Sequence, residues 1–199
     1  ALNALKNIIK NWLFHLRWKK YSKSQPKMIY GILHHGVKLK KSRISTSSVI
    51  NAPENLTLSD DVFIGHFNFV EASNGVEIGK GTQITNYVSI LSHSSHISIR
   101  LYREQYRNQT QPKGYLTGKV TLGEYCFVGP HTTIMPGTTI GKGSLIQSHS
   151  LVKGVFPDFS IIGGNPAVRV GDTRDLDKKH LSTDEALKSK YEAWARKED

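Results

Sequence analysis

Two histidines, His93 and His96, stand three residues apart in the stretch I-L-S-H-S-S-H-I-S-I-R. Imidazole takes up and returns a proton near neutral pH, so the pair is a candidate for general acid–base work. Taken singly, either is equally readable as a surface histidine hydrogen-bonded to a neighbouring turn. Two more, His131 and His149, are eighteen residues apart. The one cysteine, Cys126, has no sequence partner for a disulfide or a zinc cluster, and no thiol chemistry is suggested.

What must position these side chains is legible from a periodic pattern. An aliphatic residue returns every sixth position at Leu122, Val128, Ile134, Ile140, Ile146 and Val152, and the residue two places before each is usually small. The same beat runs through Leu58, Ile64 and Val70, again through Ile78, Ile84 and Ile90, and more faintly through Ile44, Ile50 and Leu56. No helix or flat sheet has that period, and a β-sandwich would alternate with a period of two. A fixed short repeat marks a solenoid whose units stack to bury a continuous core. Six residues hold one short strand and a turn, so three units make one triangular coil of a parallel β-helix, aliphatic residue inward and small residue in the corner. The expected fold class is an all-β solenoid. Cys126 then falls at a small-residue position as a buried spacer, and His131 and His149, one full coil apart, should stack on one edge of the prism.

The register breaks once, beside the first two histidines. Counting six from Ile90 lands on His96, a polar residue where the coil demands an aliphatic one, and the beat resumes only at Leu122. Residues 97 to 119 are expected to leave the coil as an extruded loop rich in Arg, Tyr and Gln. Loops of this length in a compact fold are usually functional or disordered.

The formal charge of +11 invites a nucleic-acid reading, which its distribution opposes. Residues 1 to 43 hold eleven Lys or Arg and no acidic residue precedes Glu54, leaving 16 basic against 16 acidic residues in the remainder. The solenoid therefore has no net attraction for a polyanion, and no nucleic-acid partner is expected. In the basic arm, Leu2, Leu5, Ile8, Ile9, Trp12, Leu13 and Leu16 share one helical face, with Lys6, Lys10, Arg17 and Lys20 on the others. Two readings stay open: an interfacial helix making peripheral membrane contact through residues 1 to 20, or a helix that packs on the solenoid or a neighbouring subunit. Charges interrupt it too often for a membrane span, and a cleavable signal peptide is not expected. Ser182 and Glu185, at capping-box spacing, predict one short terminal helix. The expected division is a helical arm over 1–31, a β-helix over 32–171 and a helical tail over 172–199.

The hexads L-G-E-Y-C-F, V-G-P-H-T-T, I-M-P-G-T-T, I-G-K-G-S-L and I-Q-S-H-S-L, with the closing segment S-I-I-G-G-N-P-A-V-R-V at Ser160 to Val170, resemble the left-handed β-helix acyltransferases. This hexapeptide-repeat family includes galactoside, maltose and xenobiotic acetyltransferases and O-acetyltransferases of bacterial surface polysaccharides; the likeness runs over residues 44 to 171. It implies a left-handed winding, a homotrimer with each active site between two subunits, acetyl-CoA as donor, a saccharide acceptor and no metal. In that family the catalytic histidine sits where the coil gives way to the loop, five or six places past the last aliphatic position, which implies His96 first and His93 second. Such a base accepts the proton of a sugar hydroxyl as its oxygen attacks the thioester. The resemblance also implicates Gly129, Ser148, Lys153, Asn165, Pro166 and Arg169 along coenzyme A. The usual T-K-D stretch reads L-V-K-G here, and the arginine after the proline has moved one place, to Arg169.

The resulting expectation is an acetyl-CoA-dependent O-acetyltransferase in bacterial capsule or lipopolysaccharide assembly, cytoplasmic, held at the inner face of the membrane if the arm binds lipid. An N-acetyltransferase of an amino sugar would share nearly every feature. A non-catalytic scaffold, or a zinc hydratase like the β-helical carbonic anhydrases, is a rival of a different class. That class draws three histidines across a subunit interface, and no carboxylate-rich pattern accompanies His131 and His149.

Overall fold

The computed structural model describes residues 2–196, with side chains described from residue 6 onward. Its body is three sheets that the chain visits in rotation. Sheet 1 runs Met28–His34, Val37–Ser45, Phe63–Ile64, Gln83–Ile84, Phe127–Val128, Leu145–Ile146, Ser160–Gly164, Ala167–Asp172. Sheet 2 is Val49–Asn51, Phe69–Glu71, Ser89–Leu91, Thr133–Ile134, Leu151–Val152, and sheet 3 is Leu56–Leu58, Val76–Ile78, Val120–Leu122, Thr139–Ile140, Val155–Phe156. Pairing between successive coils is parallel throughout. Within these three sheets, among the described residues, only the two terminal hairpins of sheet 1, Met28–His34 with Val37–Ser45 and Ser160–Gly164 with Ala167–Asp172, are antiparallel, and they close the ends of the prism.

The hexad aliphatics form three inward columns. Ile64, Ile84, Val128, Ile146 and Ile162 stack from sheet 1, Val70, Ile90, Ile134 and Val152 from sheet 2, and Ile78, Leu122 and Ile140 from sheet 3, nearly all without solvent exposure. Each such side chain contributes about 1.5–3 kcal/mol by leaving water. The small residues two places earlier fill the corners, among them Thr82, Cys126, Thr132, Thr138, Ser144 and Ser150. Their hydroxyls bond to corner carbonyls, as Ser150 does to Gln147 and Ser144 to Gly141, so polarity there carries no desolvation penalty. Cys126 is the buried spacer expected, and burial pushes its thiol up to about 11.

The coils are not uniform. Sheet 1 partners Ile44, Ile64 and Ile84 lie twenty residues apart, whereas Val128 and Ile146 lie eighteen apart. The two extra residues per early coil enter where the chain turns from sheet 2 to sheet 3. At the next coil, that same edge carries the extrusion. It opens earlier than expected: His93–Ser94 pairs antiparallel with Leu116–Thr117 to form a neck, followed by helix α2 (Ser98–Tyr102) and a 3-10 helix (Arg103–Asn108). To number the helices in chain order, α1 is Leu2–Ser24, α3 is Thr173–Leu181 and α4 is Glu185–Ala195.

At the termini the structure amends three expectations. The arm ends sooner than residue 31, since Met28 already begins a strand. Every residue from Lys6 to Gln25 is exposed, so α1 does not pack on its own solenoid. Leu2 and Leu5 of its apolar face lie outside the residues whose side chains are described. The tail holds two helices instead of one, because Asp184, not Ser182, caps α4 by accepting the Leu187 N–H, while Asp172 caps α3. The tail folds back so that Trp194 meets Tyr125 and Phe159 edge-on, at 5.0 and 5.4 Å, on the edge between sheets 3 and 1.

Candidate active site

His93 begins the neck of the extruded segment, and beneath it lies a residue that the spacing argument did not single out. Glu71 follows the inward Val70 at the end of its sheet 2 strand, one coil before Leu91 in register. The longer corner there lets the chain turn through Ser73 while the Glu71 side chain stays under the neck. Glu71 is only 6% exposed, and its Oε2 lies 2.7 Å from His93 Nδ1. Three further donors converge on the carboxylate: Ser73 N–H to Oε1 at 2.9 Å, and Ser92 Oγ–H and N–H to Oε2 at 2.8 and 3.2 Å. Burial opposes the charge, yet the hydrogen bonds from Ser73 and Ser92, with His93 adding its attraction, hold the carboxyl at about 2.

An ionised Glu71 can only accept, so it fixes the proton of His93 on Nδ1 and leaves the Nε2 lone pair free. The Tyr115 ring stacks on His93 at 5.3 Å, and burial beside Tyr106 and Glu71 pushes its phenol upward, keeping it protonated. The His93 side chain is 33% exposed, open enough to meet a substrate. This is the geometry of a general base with its orienting carboxylate.

His96 is placed differently. It is exposed, and its Nδ1 meets only the Ser94 hydroxyl, at 2.7 Å, while its backbone carbonyl accepts from Arg100. Among the described residues, no carboxylate bonds to it. The signal that would have found Glu71 is the eight-residue step from Val70 to Ile78, where the beat elsewhere is six, with an acidic residue directly after a core position.

Against the neck lies a polar cleft of about 590 Å³, lined by Tyr106, Arg107, Gln109, Gln111, Tyr115 and Thr117 among others. Two of its walls touch His93, since Tyr115 stacks on its ring and Thr117 pairs with it across the neck. A second cleft, about 500 Å³, separates α3 and α4 from sheet 1 and contains no histidine.

The residues implicated along coenzyme A fall into two groups. Gly129 and Ser148 share the edge between sheets 1 and 2 on successive coils, so close that a Cβ on Gly129 would stand 2.6 Å from the Ser148 nitrogen. Asn165 and Pro166 continue that edge in the final hairpin, exposed like Ser148. Lys153 lies on the opposite edge, the one that carries His93. Arg169 is exposed but tied to Asp172 at 2.9 Å, which Arg174 also binds at 2.7 Å. Within one chain, His93 and the Gly129–Ser148 edge therefore stand at opposite ends of the sheet 2 strands.

His131 and His149 stack as expected, at 4.9 Å with nearly parallel rings, and the column extends further than the histidines. Tyr87 lies 4.8 Å from His131, and Phe67 lies 5.2 Å from Tyr87. All four residues turn the corner with φ near +58 to +59, a conformation costly for side chains with a Cβ. Stacking one ring per coil helps to offset that cost. Among the described residues, no group of three or more His, Cys, Asp or Glu could hold a metal ion.

Comparison with known proteins gives this architecture its class. Residues 119–154 match the family described as bacterial transferase hexapeptide (six repeats), and the chain resembles the hexapeptide-repeat acyltransferases. A protein of Klebsiella pneumoniae called "Uncharacterized 24.8 kDa protein in cps region" is 38% identical over 117 residues, 58% of this chain and 48% of that protein. The chain thus spans about half the length of this curated relative. Among solved structures, a point mutant of the N-acyltransferase AntD of Bacillus cereus, in complex with dTDP and coenzyme A, has a TM-score of 0.52 at 20% identity, covering 72% of this chain and 89% of AntD. The hexapeptide-repeat acetyltransferase VCA0836 of Vibrio cholerae gives 0.52 at 20% identity, over 63% and 70%. These structural likenesses carry the fold.

Proposed function

We propose that this chain is an acetyl-CoA-dependent O-acetyltransferase of a sugar hydroxyl, built on a left-handed β-helix and active as a homotrimer. The observation that carries the reading is the Glu71–His93 pair, seated at the neck of an extruded segment on a hexapeptide-repeat prism. In the reaction, His93 Nε2 takes the acceptor hydroxyl proton as its oxygen bonds to the thioester carbonyl carbon. Glu71 steadies the imidazolium that forms. When the carbon–sulfur bond breaks, the same proton passes to the departing thiolate, giving the O-acetyl sugar and free coenzyme A. No acyl-enzyme is needed. The pair also supports the O- over the N-acetyl reading. A neutral amine attacks without losing a proton first, whereas a hydroxyl gains most from an oriented base.

The division of implicated residues supports the trimer. His93 and the Gly129–Ser148 edge cannot meet in one chain, but the edge of one copy laid against the neck of another unites them. Gly129, Ser148, Asn165 and Pro166 would then line the pantetheine arm. Exposed Lys153, on the His93 edge, is the better phosphate partner than Arg169, which Asp172 already holds. AntD and VCA0836 are described with coenzyme A and acetyl-CoA respectively, which supports the donor assignment. The likeness to a protein of a cps region supports a role in bacterial surface polysaccharide. We assign the enzyme to the cytoplasm, with α1 meeting the inner face of the membrane. No helix among the described residues is long and apolar enough to cross it.

Release of thiol from acetyl-CoA, followed against neutral, amino and acidic saccharides, tests the reading. Turnover with at least one hydroxyl acceptor, lost in His93→Ala, is the expected result. Absence of acetyl-CoA binding together with stoichiometric zinc would favour a metal hydratase on the same scaffold.

A further inference from the structure

The extruded segment is strongly basic. Between residues 97 and 119 it carries Arg100, Arg103, Arg107, Lys113 and Lys119 against the single acid Glu104. Two of these cations are occupied: Lys119 bonds Glu77 at 2.6 Å, and Arg100 donates to the His96 carbonyl. Among the described residues, Arg103, Arg107 and Lys113 are exposed and make no ion pair, and Arg107 lines the cleft beside His93. Among the described residues, no carboxylate lines that cleft. Its other walls include Tyr106, Tyr115, Gln109, Gln111, Thr110 and Thr117, a set of hydroxyls, amides and ring edges suited to a sugar. An unpaired guanidinium among neutral hydrogen-bonding groups is a site for one anion on an otherwise neutral, hydroxyl-rich ligand.

We propose that this cleft selects an anionic saccharide acceptor, with Arg107 binding the acceptor's carboxylate or phosphate while Tyr106, Tyr115 and Gln109 contact the ring whose hydroxyl faces His93. The inference rests on the acyltransferase reading and narrows its acceptor. Arg103 and Lys113 raise the local potential and draw the acceptor in, an effect that salt weakens. The anion could be the carboxylate of a uronic acid or the phosphate of a sugar 1-phosphate, and both bind a guanidinium through paired oxygens.

The test uses the intact protein with three probes: a glucuronate-containing disaccharide, a hexose 1-phosphate and a neutral disaccharide. Calorimetry measures the binding of each, and thiol release measures turnover. At least one anionic probe should bind about tenfold or more tightly than the neutral one, and the preference should shrink as salt is raised. Arg107→Gln should reduce that preference by about ten- to a hundredfold, the range for losing a charge-assisted hydrogen bond, without changing acetyl-CoA affinity. Arg107→Lys should keep part of it. Which anionic probe wins identifies carboxylate or phosphate as the recognised group. Equal binding of neutral and anionic probes, or an Arg107→Gln variant that keeps the wild-type preference, overturns the inference while acetyl-CoA-dependent turnover leaves the acyltransferase reading standing. Failure to bind acetyl-CoA overturns both.

Discussion

Replacing Glu71 by glutamine keeps the shape of the side chain and removes the one property the site depends on. The carboxylate accepts from Ser73 N–H, from Ser92 through N–H and Oγ–H, and from His93 Nδ1–H. A glutamine must turn its NH2 either toward the Ser73 N–H, donor against donor, or toward His93, which then has to carry its proton on Nε2. Either arrangement damages the base. Loss of the correct tautomer should lower kcat/KM by about a hundredfold, and His93→Ala by about a hundredfold or more. The same substitution reads out in stability. A carboxyl held at about 2 against an ordinary 4.5 is favoured as the anion by about 3 kcal/mol, at about 1.4 kcal/mol per unit. Because the folded value is depressed, that stabilisation is present above pH 4.5 and is lost as pH falls toward 2. Glu71→Gln should therefore melt about 6–12 °C lower than wild type at pH 7, with the gap closing in acid. Thiol-release kinetics and melting curves from pH 2 to 7 measure both effects. His96→Ala, by contrast, should stay within about threefold of wild type, since losing a serine-bound surface histidine removes no oriented base. Wild-type turnover in His93→Ala with loss in His96→Ala would refute the assignment.

Three further outcomes follow from the same structure. Ile134→Asp puts a carboxylate into a dry column at a cost of several kcal/mol, and should leave the protein unfolded or aggregated in sedimentation; a soluble, folded variant would contradict the hexad register. Binding of the intact chain to vesicles should rise with anionic lipid and fall with salt, and deletion of residues 1–24 should abolish it while sparing acetylation of a small soluble acceptor, because α1 exposes Trp12, Phe14 and Trp18 between its cations and leans on nothing in its own chain. Co-expression of inactive His93→Ala and Ser148→Trp chains should restore about a quarter of wild-type activity, the share of interfaces that pair an intact His93 with an intact Ser148 when copies mix at random. No recovery in mixed trimers would place the whole site within one chain.

What could be read in the sequence was whatever repeats. An inward aliphatic every six residues dictates the three columns, the corner spacers and the stacking of His131 on His149, because each follows from one local rule applied coil after coil. The break after Ile90 located the edge where the chain leaves the coil and where Glu71 meets His93. What the rule could not supply was the partner of the histidines. Counting six from Ile90 points to His96, but the chain leaves the coil at His93, where the neck begins, so the beat no longer says where a side chain is aimed. The α4 cap was misread for a related reason: Ser182 satisfies the spacing, but α3 still occupies the chain up to Leu181 and the turn delivers Asp184 instead.

The two extra residues in each early coil join these observations. A strictly regular prism has no room for a buried carboxylate at its edge, since every corner residue is either small and inward or solvated and outward. Lengthening the turn after Val70 lets Glu71 sit back under the next coil, with Ser73 and Ser92 closing around it. The neck of the extrusion then lays His93 over that carboxylate, and the antiparallel pairing with Leu116–Thr117 holds it there. The irregular corner and the extruded segment thus act on a single imidazole from two successive coils. Shortening the turn to the regular spacing would leave the fold's columns intact and strand His93 without its carboxylate.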